Sequence, residues 1–390
     1  MKVRASGSLR RYVVDHRALE GGVRKLREEG AELEKKLHAG RFRSIDAAGS
    51  ELSSIGWCRP EGTVPREWVA EDQWRGRVLG AALRIDKKQL PPGALRVRRM
   101  EAEAAERRNA GERIAPARRR EIAEKLEGEL IARMVPATAL HTMLWDVEAD
   151  AVLLNTTADG ANIAFRALFR ETFGVAPEPL TVGALAARFI EEKKLNALVP
   201  ALFTEGGVVL MNEPAAFLGG EFLLWLWYCG ENHAGEFELP DLGKVAVTFD
   251  ALLELGGGGE AAGKVSVRGD APTRAPEAGS ALLSGRLPSK ARLVLGCGEK
   301  NFDVTIGADR FDLEALKVTA EAEEISDENL RAGDEQRARW LFEVSAAIDA
   351  LFGEFLKLRV TRAFDAELLP SMRRWIATRG RGKAKAASGA

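Results

Sequence analysis

Histidine, cysteine and tyrosine are scarce in this sequence, at four, three and two among 390 residues. That scarcity excludes whole classes of chemistry. Cys58, Cys229 and Cys297 form an odd set with no CxxC or Cys/His spacing, so neither a disulfide framework nor a zinc site is expected. They read as unpaired thiols in a reducing cytosol. His16, His38, His141 and His233 fall in no metal-ligand or catalytic spacing, and the GxSxG, GxxxxGK[ST] and HExxH motifs are absent. Long apolar runs are missing too. The nearest, Phe217 to Cys229, is too short to span a bilayer and is interrupted by Gly219, Gly220 and Glu221. The N-terminal Met1-Lys-Val-Arg-Ala-Ser-Gly-Ser-Leu-Arg10 carries charge but not the apolar stretch of a secretory signal. The expectation is a cytoplasmic protein with no cofactor and no membrane partner.

What remains is a foldable chain with an uneven charge. Hydrophobic residues make up 46%, enough for real cores, and the length fits two or three domains at roughly 150 residues each. The 57 basic and 58 acidic residues cancel overall but not locally. Residues 1–100 hold 22 Lys and Arg against 13 Asp and Glu, whereas 201–250 hold 1 against 8 and 301–350 hold 5 against 13. Residues 351–390 return to 9 against 3. Such polarity favours a surface that gathers an anion on one side and repels it on another.

Periodicity outlines the elements. Leu9–Val14 reads as a strand, and Ala18–Ala39 as a helix through Val23, Leu26, Leu33 and Leu37, stopped by Gly40. Short strands are expected over 41–82, with a stronger one over Val78–Ile85. After Pro91-Pro92-Gly93, an apolar stripe of Val97, Met100 and Ala104 beside Arg96, Arg99, Glu103 and Arg107 predicts an amphipathic helix. A second begins near Ala117, with Ile122, Leu126, Leu130 and Met134 in step, and Glu121–Lys125 and Glu129–Arg133 spaced as i,i+4 ion pairs. Together these form a charged helical hairpin. Further on, Thr142–Leu154 predicts a strand pair, 160–173 a helix, and Thr181 a helix N-cap. Gly256–Gly259 reads as a flexible join, Arg292–Leu295 and Phe302–Ile306 as a hairpin turning at Gly296-Cys-Gly298, and Asp334–Leu358 as a long helix. Residues 379–385, Arg-Gly-Arg-Gly-Lys-Ala-Lys, have the composition of a disordered cationic tail.

Three groups of residues carry possible chemistry. Asp303, Asp309, Asp312 and Glu314 with Lys317 would suit a metal-dependent nuclease if they converged, but their spacing is not the usual one and a solvated acidic face is the plainer reading. Phe222, Trp225, Trp227 and Tyr228 fit a core or a subunit contact better than base stacking, because their neighbourhood is acidic. The cations at 84, 87, 88, 96, 98, 99, 107, 108 and 118–120 have the density that phosphate neutralisation needs, although nine carboxylates are interleaved with them between 83 and 130. Composition alone leaves DNA binding and a solvated charged hairpin evenly matched.

The order of motifs adds a resemblance. Leu33-Glu-Lys-Lys-Leu37, Ser54-Ile-Gly-Trp57, Pro60-Glu-Gly62, Lys87-Lys-Gln-Leu-Pro91, Arg118–Leu130 ending at Val135-Pro136, Thr142-Met-Leu-Trp-Asp146, Ser289-Lys-Ala-Arg-Leu293, Leu316-Lys317 and Asp334–Leu356 together resemble the bacterial recombination-associated protein RdgC family. The resemblance implies an α+β fold with mixed or antiparallel sheets, the charged hairpin and the long C-terminal helix. It further implies a nucleoid-associated homodimer, closed as a ring around double-stranded DNA, that restrains RecA without catalysis. The phosphate contacts would be Lys87, Lys88, Arg96, Arg98, Arg99, Arg118, Arg119 and Arg120. Arg268 and Arg274 would be weaker substitutes for a lysine-rich run that this sequence lacks. In this frame 1–92 is an N-terminal α/β region, 93–136 the hairpin, 137–213 a central α/β region, 214–263 an aromatic acidic insertion, 264–358 a C-terminal α/β region and 359–390 a basic tail. The loop after Pro136, Ala137-Thr-Ala-Leu140, lacks the basic and aromatic residues of a DNA-touching finger. The alternative from another class is a metal-dependent nuclease of recombination or phage DNA processing. A third is a structural assembly protein that makes its contact through Trp225.

Overall fold

A computed structural model describes residues 6–19, 22–46, 51–110, 114–204, 215–257, 263–320 and 330–379. The strands are β1 (Ser6–Val13), β2 (Ser53–Cys58), β3 (Trp74–Arg75), β4 (Val78–Lys87), β5 (Ala137–Asp146), β6 (Ala151–Leu154), β7 (Glu178–Pro179), β8 (Glu236–Leu239), β9 (Gly243–Gly257), β10 (Gly263–Arg268), β11 (Leu287–Cys297), β12 (Lys300–Gly307) and β13 (Leu313–Thr319). The helices are α1 (Gly22–Glu28), α2 (Gly30–Ala39), α3 (Ala70–Gln73), α4 (Pro92–Ala110), α5 (Pro116–Arg133), α6 (Asp159–Phe173), α7 (Val182–Ala186), α8 (Glu192–Ala197), α9 (Phe217–Asn232), α10 (Pro276–Leu283), α11 (Leu330–Arg359) and α12 (Leu369–Thr378). The fold is α+β, with antiparallel sheets, the charged hairpin α4–α5 and the long helix α11. No described helix is long and apolar enough to cross a membrane.

Two compact units interleave along the sequence. The first takes Val14–Asp150 and Ala158–Pro177; the second takes Val3–Val13, Ala151–Thr157 and Glu178–Ala390. The regions drawn from the sequence are therefore regrouped. The hairpin belongs with the N-terminal region, whereas 214–263 shares a unit with the C-terminal one.

In the first unit β4 lies between β2 and β5, with β3 on its early half. A strand covered on both sides by neighbours and on both faces by packing needs a nearly continuous apolar run, and Val78–Ile85 supplies it: Ala81, Ala82 and Leu83 are fully buried. Phe165, Phe169 and Phe173, four residues apart on α6, bring their rings against Trp57 and Trp145 at centroid distances of 5.1–6.4 Å. The Trp57 indole N–H donates to Thr172 Oγ1 at 2.8 Å. The motif Ser54-Ile-Gly-Trp57 has a backbone reason. The chain leaving α2 runs along β2, with Phe42 N–H donating to Trp57 O and Trp57 N–H to Gly40 O, so any Cβ at Gly56 would lie 2.4 Å from the Phe42 backbone.

The single helix expected over Ala18–Ala39 is two, broken at Glu29. Gly30 opens the second where Ala70 approaches so closely that a Cβ would sit 2.9 Å from the Ala70 methyl, and Glu34 Oε1 accepts the Ala70 N–H at 2.9 Å. Tertiary contact outweighs the helical pattern there.

In the second unit the strands run β10-β9-β11-β12-β13-β1-β6, with β8 on β9 and β7 on β1. The predicted Arg292–Leu295 and Phe302–Ile306 hairpin is β11–β12, turning through Gly298 at φ +59°. Helix α9 packs on β11, and Gly219 lies so close to the Ala308 carbonyl that a Cβ would reach 1.8 Å from its oxygen. Phe222 meets Phe311, Phe352 and Phe355 with centroids 5.3–6.0 Å apart. The aromatic cluster of Phe222, Trp225, Trp227 and Tyr228 is thus core, one of the two readings its sequence favoured over base stacking. The buried Glu221 is held by Arg359 Nε at 2.7 Å and by the Ala201 N–H at 2.6 Å. Thr181 caps α7 as expected, accepting the Ala184 N–H, though α7 ends at Ala186. Residues 258–259 of the expected flexible join and 380–390 of the expected cationic tail lie outside the described residues.

Candidate nucleic-acid interface

The hairpin exists, and α5 half-buries the stripe that the sequence pattern drew, Ile122, Leu126, Leu130 and Met134, whereas α4 does not. Val97 and Met100, the expected apolar stripe, are 55% and 61% exposed. The half-buried residues of α4 are Leu95, Ala102, Glu103, Ala105 and Glu106, and those of α5 are Ile122, Leu126 and Leu130, with Ala123 and Ile131 buried. Small side chains at the contact let two helix backbones approach, and ion pairs then bridge the rim. The side chain of Arg118 donates to Glu106 at 2.8 Å and to Glu121 at 3.0 Å, and Arg119 stands 3.8 Å from Glu103, which also takes Arg107 at 3.5 Å. These hydrogen bonds, first to Glu106 and then to Glu121, raise the Arg118 guanidinium above its ordinary value. The expected pairs Glu121–Lys125 and Glu129–Arg133 are replaced by Arg118–Glu121 and Lys125–Glu129. In each case another cation reaches the carboxylate.

The sequence-chosen cations divide into three groups. Lys87 is exposed at the end of β4, and Arg96, Arg99 and Arg120 are exposed on the hairpin without an ion pair among the described residues. Arg98, Arg118 and Arg119 are exposed but engaged by Glu101, by Glu106 and Glu121, and by Glu103. Lys88 is the correction: it is 4% exposed, the first residue beyond β4, with its backbone N–H donating to Leu52 O at 2.8 Å. A buried ammonium is not a contact for an external phosphate. Arg84, another basic residue of this stretch, is structural as well, forked onto the buried Asp86 at 2.9 and 2.7 Å and lying 4.2 Å over the Phe42 ring. Arg268 and Arg274 are exposed in the second unit, at the end of β10 and in the short turn Pro272–Arg274. The residues Ala137–Leu140, read as a loop, form the first part of β5, paired with Arg84–Lys87.

Sequence reasoning missed a groove along the hairpin of roughly 430 Å³, lined by Arg99 and Glu103 from α4 and by Arg119, Arg120, Ala123, Glu124 and Glu127 from α5. The sequence carried no signal for it: Glu103 is spaced i,i+4 from both Arg99 and Arg107, and the structure gives it to Arg107. Three of the acidic candidates are each held by a cation. Asp303 pairs with Arg292 at 2.5 Å, Glu314 with Lys290 at 2.6 Å and Asp312 with Arg10 at 3.1 Å. Among the described residues, no group of three or more His, Cys, Asp or Glu is placed to hold a metal ion. The Trp225 cluster is buried, Trp225 itself being 4% exposed.

No protein-family model and no curated protein matches the chain.

Proposed function

We propose that this is a non-enzymatic, double-stranded DNA-binding protein whose affinity is electrostatic and indifferent to base sequence. The observation that carries the reading is the hairpin, where α4 and α5 hold Arg96, Arg98, Arg99, Arg118, Arg119 and Arg120 exposed, three of them without an ion pair among the described residues. Cations spread along two helices, with no side-chain arrangement for reading base edges, suit phosphate contact rather than base discrimination. The particular assembly we propose is that of the RdgC family: a homodimer closed as a ring on duplex, nucleoid-associated in the cytoplasm, restraining RecA by occupying its substrate. The ordered motifs from Leu33 to Leu356 support it, and Ser54-Ile-Gly-Trp57 among them has the backbone role described above.

The test is duplex affinity across a salt series with two unrelated sequences. A steep fall with salt, equal for both, is expected, because each neutralised phosphate contributes about −0.9 to the logarithmic slope. A flat salt response overturns DNA binding by this surface. Ring closure is tested separately, by retention on covalently closed circles at a salt concentration that strips linear duplex; equal loss from both overturns it.

A further inference from the structure

The hairpin groove distinguishes among arginines that composition treats alike. Arg99 and Arg120 line it with no ion pair among the described residues, and Arg119 is held only loosely, 3.8 Å from Glu103. Glu103 itself keeps a second partner, Arg107, at 3.5 Å. If an outside anion takes Arg119, Glu103 is therefore not left without a cation. Elsewhere on the hairpin release costs more. Arg118 would have to leave two carboxylates at 2.8 and 3.0 Å, and Arg98 would have to leave Glu101 at 3.2 Å. Glu124 and Glu127 line the same groove about one and two turns along α5 from Arg120, so an anion is repelled from that part.

We infer that Arg99, Arg119 and Arg120 form a seat for one backbone phosphate of duplex DNA, with Glu103 as the internal carboxylate that yields Arg119 to it. The inference rests on the DNA-binding reading above. It replaces a diffuse cationic face with a discrete contact: three planar guanidiniums from two helices meet one phosphate, whose oxygens accept their forked N–H groups. The two glutamates farther along the groove limit the seat to one phosphate.

One phosphate has a countable signature. The salt slope reports phosphates neutralised, not arginines supplied. Duplex binding is measured by fluorescence anisotropy over a salt series for the wild-type chain, Arg99→Ala with Arg120→Ala, the triple variant adding Arg119→Ala, and, as a control, Lys194→Ala, an exposed cation of α8 paired with Glu191 at 3.6 Å and outside the hairpin. The double variant is expected to lose about 0.9 from the slope, the triple variant no more than that, and Lys194→Ala nothing. Independent contacts would instead cost about 1.8 and 2.7. Losses that scale with the number of arginines, a double variant with the wild-type slope, or a Lys194→Ala loss as large as the double variant's each overturn the seat while leaving DNA binding intact. A wild-type chain without salt-dependent binding overturns the DNA reading itself, and the seat with it. The substituted side chains are exposed, and an unchanged melting temperature confirms that each variant is folded.

Discussion

Replacing Glu221 by alanine should cost the second unit about 3–5 kcal/mol, the range for removing one member of a buried ion pair. The geometry shows why the cost is large. Glu221 is fully buried in α9, its Oε2 accepts from Arg359 Nε at 2.7 Å, and its Oε1 accepts the Ala201 N–H at 2.6 Å. Truncation leaves the Arg359 guanidinium, itself 5% exposed, with the Val199 carbonyl at 2.6 Å and the Phe364 ring at 4.5 Å but no counter-charge. It also strands the Ala201 N–H. The double replacement Glu221→Met with Arg359→Met removes both charges and should recover most of the loss, because the desolvation of the pair offsets much of its attraction. Hydrogen exchange of α9 and α11 amides is the right assay, since a chain of two compact units need not unfold in one step. A Glu221→Ala opening free energy within about 1 kcal/mol of wild type would refute the reasoning, since the carboxylate would then not be needed to balance Arg359.

Two further predictions concern packing and pH. Gly219→Ala should prevent native packing of α9, because its Cβ would stand 1.8 Å from the Ala308 oxygen, whereas Gly230→Ala, with nothing within 4 Å, should stabilise the same helix by up to about 1 kcal/mol; thermal melts of the two variants should move in opposite directions. Burial pushes the Cys58 thiol up from 9.0 to about 12, so its ionisation is resisted by the folded state. Its contribution is unchanged below about pH 9 and falls by about 1.4 kcal/mol per pH unit from there towards 12, as the unfolded chain loses the proton first. A Cys58→Ala variant should show a shallower decline in stability over that window, and parallel pH profiles would contradict the assignment.

The elements legible in the sequence were those whose pattern is enforced by nearest neighbours. The Phe165, Phe169 and Phe173 spacing of α6, the apolar run of β4 and the extent of α11 need only local periodicity plus a core to face. The long strand β9 was missed although Val245, Val247, Leu253 and Leu255 alternate inward, because its glycine-rich end reads as a join. The hairpin was visible, and the orientation of α4 was not: Val97 and Met100 make a plausible buried stripe until the alanine face is seen to be the one that approaches α5.

By itself the sequence determined where the cations of the candidate site lie along the chain. Arginines at 96, 98, 99 and 118–120 fall in two segments whose local periodicity makes them helices, α4 and α5. Only tertiary structure decided which cations are available. Side-chain charge is a property of the residue, but availability depends on partners brought from elsewhere: Asp86 engages Arg84, packing beside Leu52 buries Lys88, Glu106 crosses from α4 to hold Arg118, and Glu103 leaves Arg119 loose beside Arg99 and Arg120, which have no ion pair among the described residues.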